Sequence, residues 1–311
     1  MTLPPAIFII GPTASGKTGL AMKLMEYFPI ELISVDSALV YKGMDIGTAK
    51  PTAEELVKAP HRLISFLDPS QPYSAADFRK DALREMQEII DKGKIPVLVG
   101  GTMLYYRALE NGLADLPVAN PEVRKRLSEE AEHHGWGHLH QRLTKVDPEA
   151  GARIHPNDQQ RIQRALEVFE LTGKPLSTHQ KEEKSTAFPY RLLKLALIPE
   201  REWVRELAAI RFDKMLEAGF LDEVKKLYAR EDLHADLPAM RAVGYRQVWD
   251  YLDGKLDQNE MKERAVIATR QLAKRQMTWM RSEPNITRFD AKNYQIEIII
   301  KKIQCFLLRK N

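Results

Sequence analysis

Residues 11–18 read Gly11-Pro12-Thr13-Ala14-Ser15-Gly16-Lys17-Thr18 directly after the apolar run Ala6 to Ile10, which is the G-x-x-x-x-G-K-[ST] spacing of a phosphate-cradling loop. A strand must end there and a helix must begin, so a β-loop-α unit is fixed before any other element is considered. The backbone N–H groups of such a turn point inward at an anion, Lys17 adds a compact positive charge, and the Thr18 hydroxyl can hold a magnesium ion. The helix starting near Lys17 contributes its positive dipole end. All eight residues are therefore candidate diphosphate ligands. The loop alone leaves open whether the diphosphate belongs to a nucleotide or to another molecule.

The sequence continues the pattern. Glu31 to Val35 and His61 to Phe66 read as further strands, and the segment after Lys17 as a helix carrying Leu20, Leu24 and Phe28. Ser74 with Asp77 is a capping pair for a helix whose Phe78, Ala82, Met86, Ile89 and Ile90 recur at helical spacing up to Gly93. Pro96 to Val99 is a fourth strand, ending at Gly100-Gly101-Thr102. Such alternation predicts an α/β fold, a P-loop-type parallel sheet flanked by helices, with ligands at the carboxyl ends of the strands. The loops after Ile10, Val35 and Val99 should then meet.

That convergence singles out Asp36 and Thr102. Leu32 to Asp36 has the form of an apolar strand ending in a carboxylate that could order magnesium, but the later strand ends in Gly-Gly-Thr with no carboxylate of its own. Asp36 is thus open to three uses: metal ordering, general base, or an ordinary turn aspartate.

From Pro121 to Leu171 the alternation stops. Pro121 to Glu132, His138 to Val146 and Asn157 to Leu171 are patterned as charged helices, and Thr172-Gly173-Lys174-Pro175 is a stop signal. A small all-helical inserted domain over 116–189 is expected, with 1–115 and 190–311 forming the catalytic core. His134 and His138 have a helical metal-pair spacing, but Gly135 and Gly137 break the helix that would hold them, which favours a polar turn. The segment Lys262 to Arg281 carries six Lys or Arg residues against one acid, Glu263, with Arg270, Lys274 and Arg281 on one face. Such a stripe is either a solvated helix surface or an RNA surface. Trp249 and Trp279 suit either base stacking or core packing, and the amphipathic run Ile296 to Leu308 is short enough to pack on the core.

Composition narrows the classes. With 311 residues, 44% of them hydrophobic, the chain can bury one substantial core and a smaller second one. A single cysteine, Cys305, excludes a disulfide framework and a cysteine-based zinc site. No apolar run approaches the roughly 20 residues that span a bilayer, so no membrane association and a cytoplasmic location are expected. The formal charge of +4 permits a polyanionic partner without requiring one. No heptad or other self-association motif is present, and a monomer is the default expectation.

Several blocks together resemble the tRNA dimethylallyltransferase family, in its bacterial form. They are the loop Gly11 to Thr18, the run Ile33 to Pro51, Val99 to Thr102, Asp158 to Glu167, Met240 to Gln247 and Ala268 to Gln276. The blocks follow the family's order over most of the chain, and one cysteine leaves no zinc finger of the kind some eukaryotic members carry. The resemblance implies transfer of a dimethylallyl group from dimethylallyl diphosphate to the N6 amine of the adenine 3′-adjacent to the anticodon. The phosphate loop, with Lys17 and Mg2+ at Thr18, would hold the diphosphate leaving group. Asp36 would accept the N6 proton, and Thr102 would contact substrate near the reacting centre. The tRNA anticodon stem-loop would be touched by Asp36, Ser37, Ala38 and Leu39, by Gln160, Arg161, Ile162, Gln163 and Arg164, and by Arg241, Ala242, Val243, Gly244, Tyr245 and Arg246. Arg124, Arg270 and Lys274 join that set, and the inserted domain would clamp the stem-loop. Three other classes share the loop and sheet: a P-loop small-molecule kinase, an RNA-binding ATPase, and prenyl transfer to free adenine nucleotides. A kinase would not need the basic helical half of the chain, an ATPase would want a carboxylate after Val99, and a free nucleotide would not need the insertion.

Overall fold

The structure, a computed structural model, describes residues 3–13, 15–114, 116–182 and 187–309. These fall into two compact units, one drawn from the chain up to Glu110 and again from Phe188, the other Asn111–Ala187. The boundary expected after residue 115 falls on a residue outside those described.

The first unit is built on strands β1 (Pro5–Ile10), β2 (Ile30–Val35), β3 (His61–Arg62), β4 (Ile95–Gly100), β5 (Arg191–Ile198) and β6 (Ile286–Asp290). They form one six-stranded sheet in the order β3-β2-β4-β1-β5-β6, every pair parallel. Parallel strands need crossovers, and helices supply them. Between β1 and β4 these are α1 (Lys17–Leu24), α2 (Ala53–Lys58) and α3 (Ala75–Asp91), and α4 (Met103–Asn111) follows.

Alternating side chains explain why the strands are apolar throughout. Phe8, Ile10, Ile33 and Val35 face α3 and α4 with Phe78, Met86, Tyr105 and Tyr106, whereas Ile7, Ile9, Leu32 and Val97 face Leu20 and Leu24 of α1. The helix α14 (Ile296–Leu308) joins the second layer, with Ile299 and Ile303 fully buried. Tyr106 fastens the central pair by donating its hydroxyl to the carbonyls of Ile9 and Leu98, both at 3.1 Å.

Two local differences from the sequence pattern have clear causes. The strand expected over His61 to Phe66 stops at Arg62, because Leu63 and Ser65 take positive φ values of 60° and 52°, which no strand accommodates. The helix after Lys17 ends at Leu24, and Phe28 reaches the same core from the turns beyond it.

The last third of the unit is a helical layer with its own core: α10 (Arg201–Glu217), α11 (Phe220–Tyr228), α12 (Tyr245–Leu252) and α13 (Gln258–Ser282). Phe212, Phe220, Val224, Tyr245, Trp249 and Met261 pack there against Val40, Tyr41 and Met44. The segment that follows β2 is thereby held against the helices.

The second unit comprises α5 (Pro121–His134), α6 (Trp136–Val146), α7 (Pro148–Arg153), α8 (Gln159–Thr172) and α9 (Leu176–Glu182) around Leu127, Leu139, Leu143, Ile162 and Leu166. Pro121 and Pro148 each stand at the first position of their helix behind Asn120 and Asp147 caps. No described helix is long and apolar enough to cross a membrane.

Candidate active site

The carboxyl ends of β1, β2 and β4 bring three loops together, and hydrogen bonds join them directly. Gly11 donates its N–H to Gly100 O at 3.2 Å, and Thr102 donates its N–H to Val35 O at 3.2 Å. The phosphate loop turns on Gly16, whose φ of 78° and ψ of 9° lie in the left-handed region that favours glycine, and α1 begins at the next residue. Lys17 Nζ donates to Pro12 O at 3.3 Å within the loop. Ala14 lies outside the described residues; the other seven loop positions are placed.

A cavity of about 180 Å3 opens over the loop, lined by Thr13, Gly16, Lys17, Thr18, Ser34, Asp36, His61 and Arg211, among others. Burial pushes the Lys17 ammonium down to about 8; the Asp36 carboxylate opposes the shift and the Arg211 guanidinium adds to it. Burial also lowers Arg211, against the pull of Asp36. Two cations and one carboxylate thus border a space from which water is partly excluded, a setting that favours a bound anion.

Asp36 sits at the border of that cavity and a second one of about 100 Å3. Asp36 Oδ1 accepts from the N–H groups of Ala38 at 2.9 Å and Leu39 at 3.4 Å, a side-chain-closed turn. Its other oxygen has no hydrogen-bond partner among the described residues. Ser37 N–H donates to Thr102 Oγ1 at 3.1 Å, which ties the carboxylate's neighbour to the Gly-Gly-Thr loop. The second cavity has an apolar wall of Ala208, Phe212, Met215, Val243 and Leu272, with Thr13, Asp36, Thr48 and Arg211 on its polar side.

The loop from 39 to 50 is fixed by two polar clamps. Glu223 of α11 accepts from the N–H groups of Asp45, Ile46 and Gly47 at 2.9, 2.8 and 3.1 Å and from the Tyr245 hydroxyl. Lys50 Nζ donates to Tyr41 O and Ser65 Oγ at 2.7 Å each and pairs with Asp45. Tyr245 is fully buried, so within the block Arg241 to Arg246 it anchors the backbone, while Arg241 and Arg246 are exposed and Ala242, Val243 and Gly244 line the second cavity.

Arg270 and Lys274 on α13 border a separate groove of about 420 Å3 with Arg201 and Arg205 of α10. Arg270 also donates to Arg205 O at 3.1 Å, which holds α13 to α10. Trp249 is core, packed on Tyr228, whereas Trp279 is half-buried with the Arg107 guanidinium 4.1 Å above its ring.

In the helical unit, Arg124 and Arg164 both bond to Glu167, which is fully buried. Gln163 donates to Arg124 O at 3.1 Å and Ser128 Oγ at 2.9 Å, and Ile162 is fully buried. Of the block Gln160 to Arg164, the side chains open to solvent are Gln160 and Arg161. The His134 and His138 rings lie 5.1 Å apart across the break at Gly135, and His138 faces Glu130 at 3.4 Å.

Among the described residues no group of three or more His, Cys, Asp or Glu could hold a metal ion. The donors present at the loop are oxygens: the Thr18 hydroxyl, the Asp36 carboxylate, and the buried hydroxyls of Ser15 and Ser34, neither of which has a hydrogen-bond partner among the described residues. Such a set fits a hard divalent cation that takes most of its ligands from a diphosphate and water.

Sequence reasoning missed two residues of this site. Arg211 borders both cavities from α10, and Gln276 of α13 donates to Gly101 O at 2.8 Å and accepts from Thr13 N–H at 3.4 Å. Arg211 lies in no motif, and Gln276 closes the block Ala268 to Gln276, where the resemblance gave it no role. The structure sets Gln276 on the helix face that carries buried Ala273 and Met277.

The chain is similar to known proteins. A family model described as IPP transferase matches residues 39–283. The tRNA dimethylallyltransferase of Thioalkalivibrio sulfidiphilus (strain HL-EbGR7) is 57% identical over 305 residues, covering 98% of this chain and 95% of that protein. Among solved structures, the tRNA isopentenylpyrophosphate transferase of Bacillus halodurans is similar with a TM-score of 0.70 at 40% identity, covering 97% of this chain and 95% of its own. A eukaryotic dimethylallyltransferase acting on tRNA has a TM-score of 0.77 at 30% identity, over 93% of this chain and 74% of its own. Likeness at this identity, over nearly the whole length, makes the chain a member of the IPP transferase family of tRNA dimethylallyltransferases.

Proposed function

We propose that this chain transfers a dimethylallyl group from dimethylallyl diphosphate to the N6 amine of the adenine 3′-adjacent to the anticodon in tRNA, releasing diphosphate. The observation that carries this is the position of Asp36, on the border between a cationic cavity sized for phosphates and a cavity with an apolar wall. A prenyl diphosphate has those two halves, and a base acting on the nucleophile belongs where they join.

In the reaction the allylic carbon–oxygen bond breaks with its electron pair leaving on the diphosphate, a carbon–N6 bond forms, and the N6 proton passes to Asp36. Charge grows on the diphosphate as the bond breaks, so Lys17, Arg211 and the loop N–H groups hold the transition state more strongly than the ground state. Magnesium bound with the diphosphate, with Thr18 as its protein ligand, would neutralise part of that charge. Thr102 holds the Asp36 turn through Ser37 and borders the same edge. The adenine lone pair is delocalised into its ring, so removal of the proton as the new bond forms is required of the enzyme. A stacked base cannot enter such a site, and the adenine would be extruded from the anticodon loop.

The exposed side chains of Ser37, Gln160, Arg161, Arg241 and Arg246 and the groove beside Arg270 and Lys274 are our candidates for contact with the stem-loop. Arg124 and Arg164 remain candidates that also brace the helical unit through Glu167. With tRNA as substrate, the place of work is the cytoplasm.

The test is to incubate the protein with unmodified tRNA, magnesium and dimethylallyl diphosphate, digest the tRNA and weigh its nucleosides. An adenosine heavier by one five-carbon prenyl group is expected, with Asp36→Asn reducing the rate by about 10²–10⁴-fold. No mass gain across a full tRNA pool, with ADP released when ATP replaces the donor, would sink the assignment.

A further inference from the structure

Gln276 projects from α13 toward the three-loop junction, two residues beyond exposed Lys274 and flanked by buried Ala273 and Met277. Its amide uses both ends. Nε2 donates to Gly101 O at 2.8 Å, and Oε1 accepts from Thr13 N–H at 3.4 Å. The contact is close: a Cβ on Gly101 would stand 2.5 Å from Nε2 and 3.0 Å from Gly11 O, so the amide lies against bare backbone. Thr13 borders both cavities, and Gly101 precedes Thr102, whose hydroxyl accepts from Ser37 beside Asp36. One side chain therefore bridges the loop that would hold the leaving group and the loop that steadies the base.

We propose that Gln276 is a positioning residue for the prenyl transfer, its amide setting the separation between the diphosphate loop and the Thr102–Asp36 edge. This rests on the reaction assigned above. The distance between leaving group and base is a quantity to which group transfer is acutely sensitive: a misplacement of about 1 Å can cost about 10²-fold. A glutamine suits the task because it donates and accepts at once and adds no charge beside the loop that bears Lys17.

Two substitutions test it. Gln276→Met keeps length and volume and removes both hydrogen bonds. It should lower kcat by about 10–100-fold, leave the Kd for an anticodon stem-loop RNA within about twofold, and lower the melting temperature by no more than about 2 °C. Gln276→Glu keeps the acceptor for Thr13 but sets a carboxylate against the Gly101 carbonyl, a contact that raises the carboxyl's pKa. Protonation restores a donor. The kcat of Gln276→Glu relative to the unsubstituted enzyme should therefore rise, by about tenfold or more, as pH falls from about 8 to about 5.5. A merely structural glutamine would not produce that ratio. The proposal is overturned if Gln276→Met keeps kcat within about threefold, if its loss is matched by weaker RNA binding or a large fall in melting temperature, or if the Gln276→Glu ratio is flat with pH. If the unsubstituted enzyme itself prenylates no tRNA, the reaction assignment fails instead, and the two failures are told apart in one experiment.

Discussion

Lys17 loses proton affinity on burial, down to about 8, with Arg211 pushing the same way and Asp36 opposing. A diphosphate binds the protonated form, so the free enzyme should lose donor affinity as pH rises through about 8. We expect kcat/KM for dimethylallyl diphosphate to fall above that pH, approaching about tenfold per unit. The Kd for the RNA should change far less over the same range. A donor profile flat to about pH 9.5 would mean that Lys17 does not carry this charge. At this scale the sequence was most informative where chemistry is local. Gly16, Lys17 and Thr18 follow from spacing, and Asp36 from its place at the end of an apolar strand. Arg211 was silent because one arginine on a charged helix looks like any other until α10 lies beside the loop.

Among the elements, α5 and α8 show two candidate contact residues, Arg124 and Arg164, that also hold the fold. The buried Glu167 carboxylate would be pushed up by desolvation alone, but hydrogen bonds from Arg124, Arg164 and the Asn120 N–H outweigh this and hold it below the usual carboxylate range. A carboxyl with a depressed folded pKa contributes stability that is present above its unfolded pKa, about 4.3, and is lost as pH falls through the folded value. Glu167→Ala should destabilise the helical unit by about 3 kcal/mol at neutral pH, because two guanidinium groups lose their shared partner. Thermal melts followed by circular dichroism should show that deficit shrinking as pH falls from 7 toward 3.5; a constant difference would refute the role of the charge. Helix signals were otherwise the most legible elements. Ser74 and Asp77 form the capping box their spacing suggests. The edge strand β6, only five residues long with alternate exposed positions, offered no comparable pattern.

For the molecule as a whole, RNA binding is an electrostatic question. The groove lined by Arg201, Arg205, Arg270 and Lys274 brings two helices' cations together. If six or more phosphates are contacted, affinity for tRNA should fall by about 10³-fold or more between 50 and 200 mM salt. The pair Arg205→Ala and Lys274→Ala should reduce the slope of log K against log salt by about 2, if each contacts one phosphate. Fluorescence anisotropy at several salt concentrations measures it, and an unchanged slope would move the RNA path elsewhere.

The sequence by itself determined the β/α alternation of the first hundred residues, the phosphate loop, the carboxylate at the end of β2 and the helical patterning of the middle segment. Each depends on periodicity, capping or spacing within about twenty residues, the range over which backbone conformation is set by near neighbours. Only the tertiary structure decided that Arg211 shares a cavity with Lys17, that Gln276 bridges Thr13 and Gly101, and that Tyr245 and Ile162 are core within blocks that also carry exposed arginines. Those facts join residues up to 263 positions apart. Such pairings arise from the packing of α10 to α13 against the loops, and no local pattern encodes which face of a helix will meet which loop.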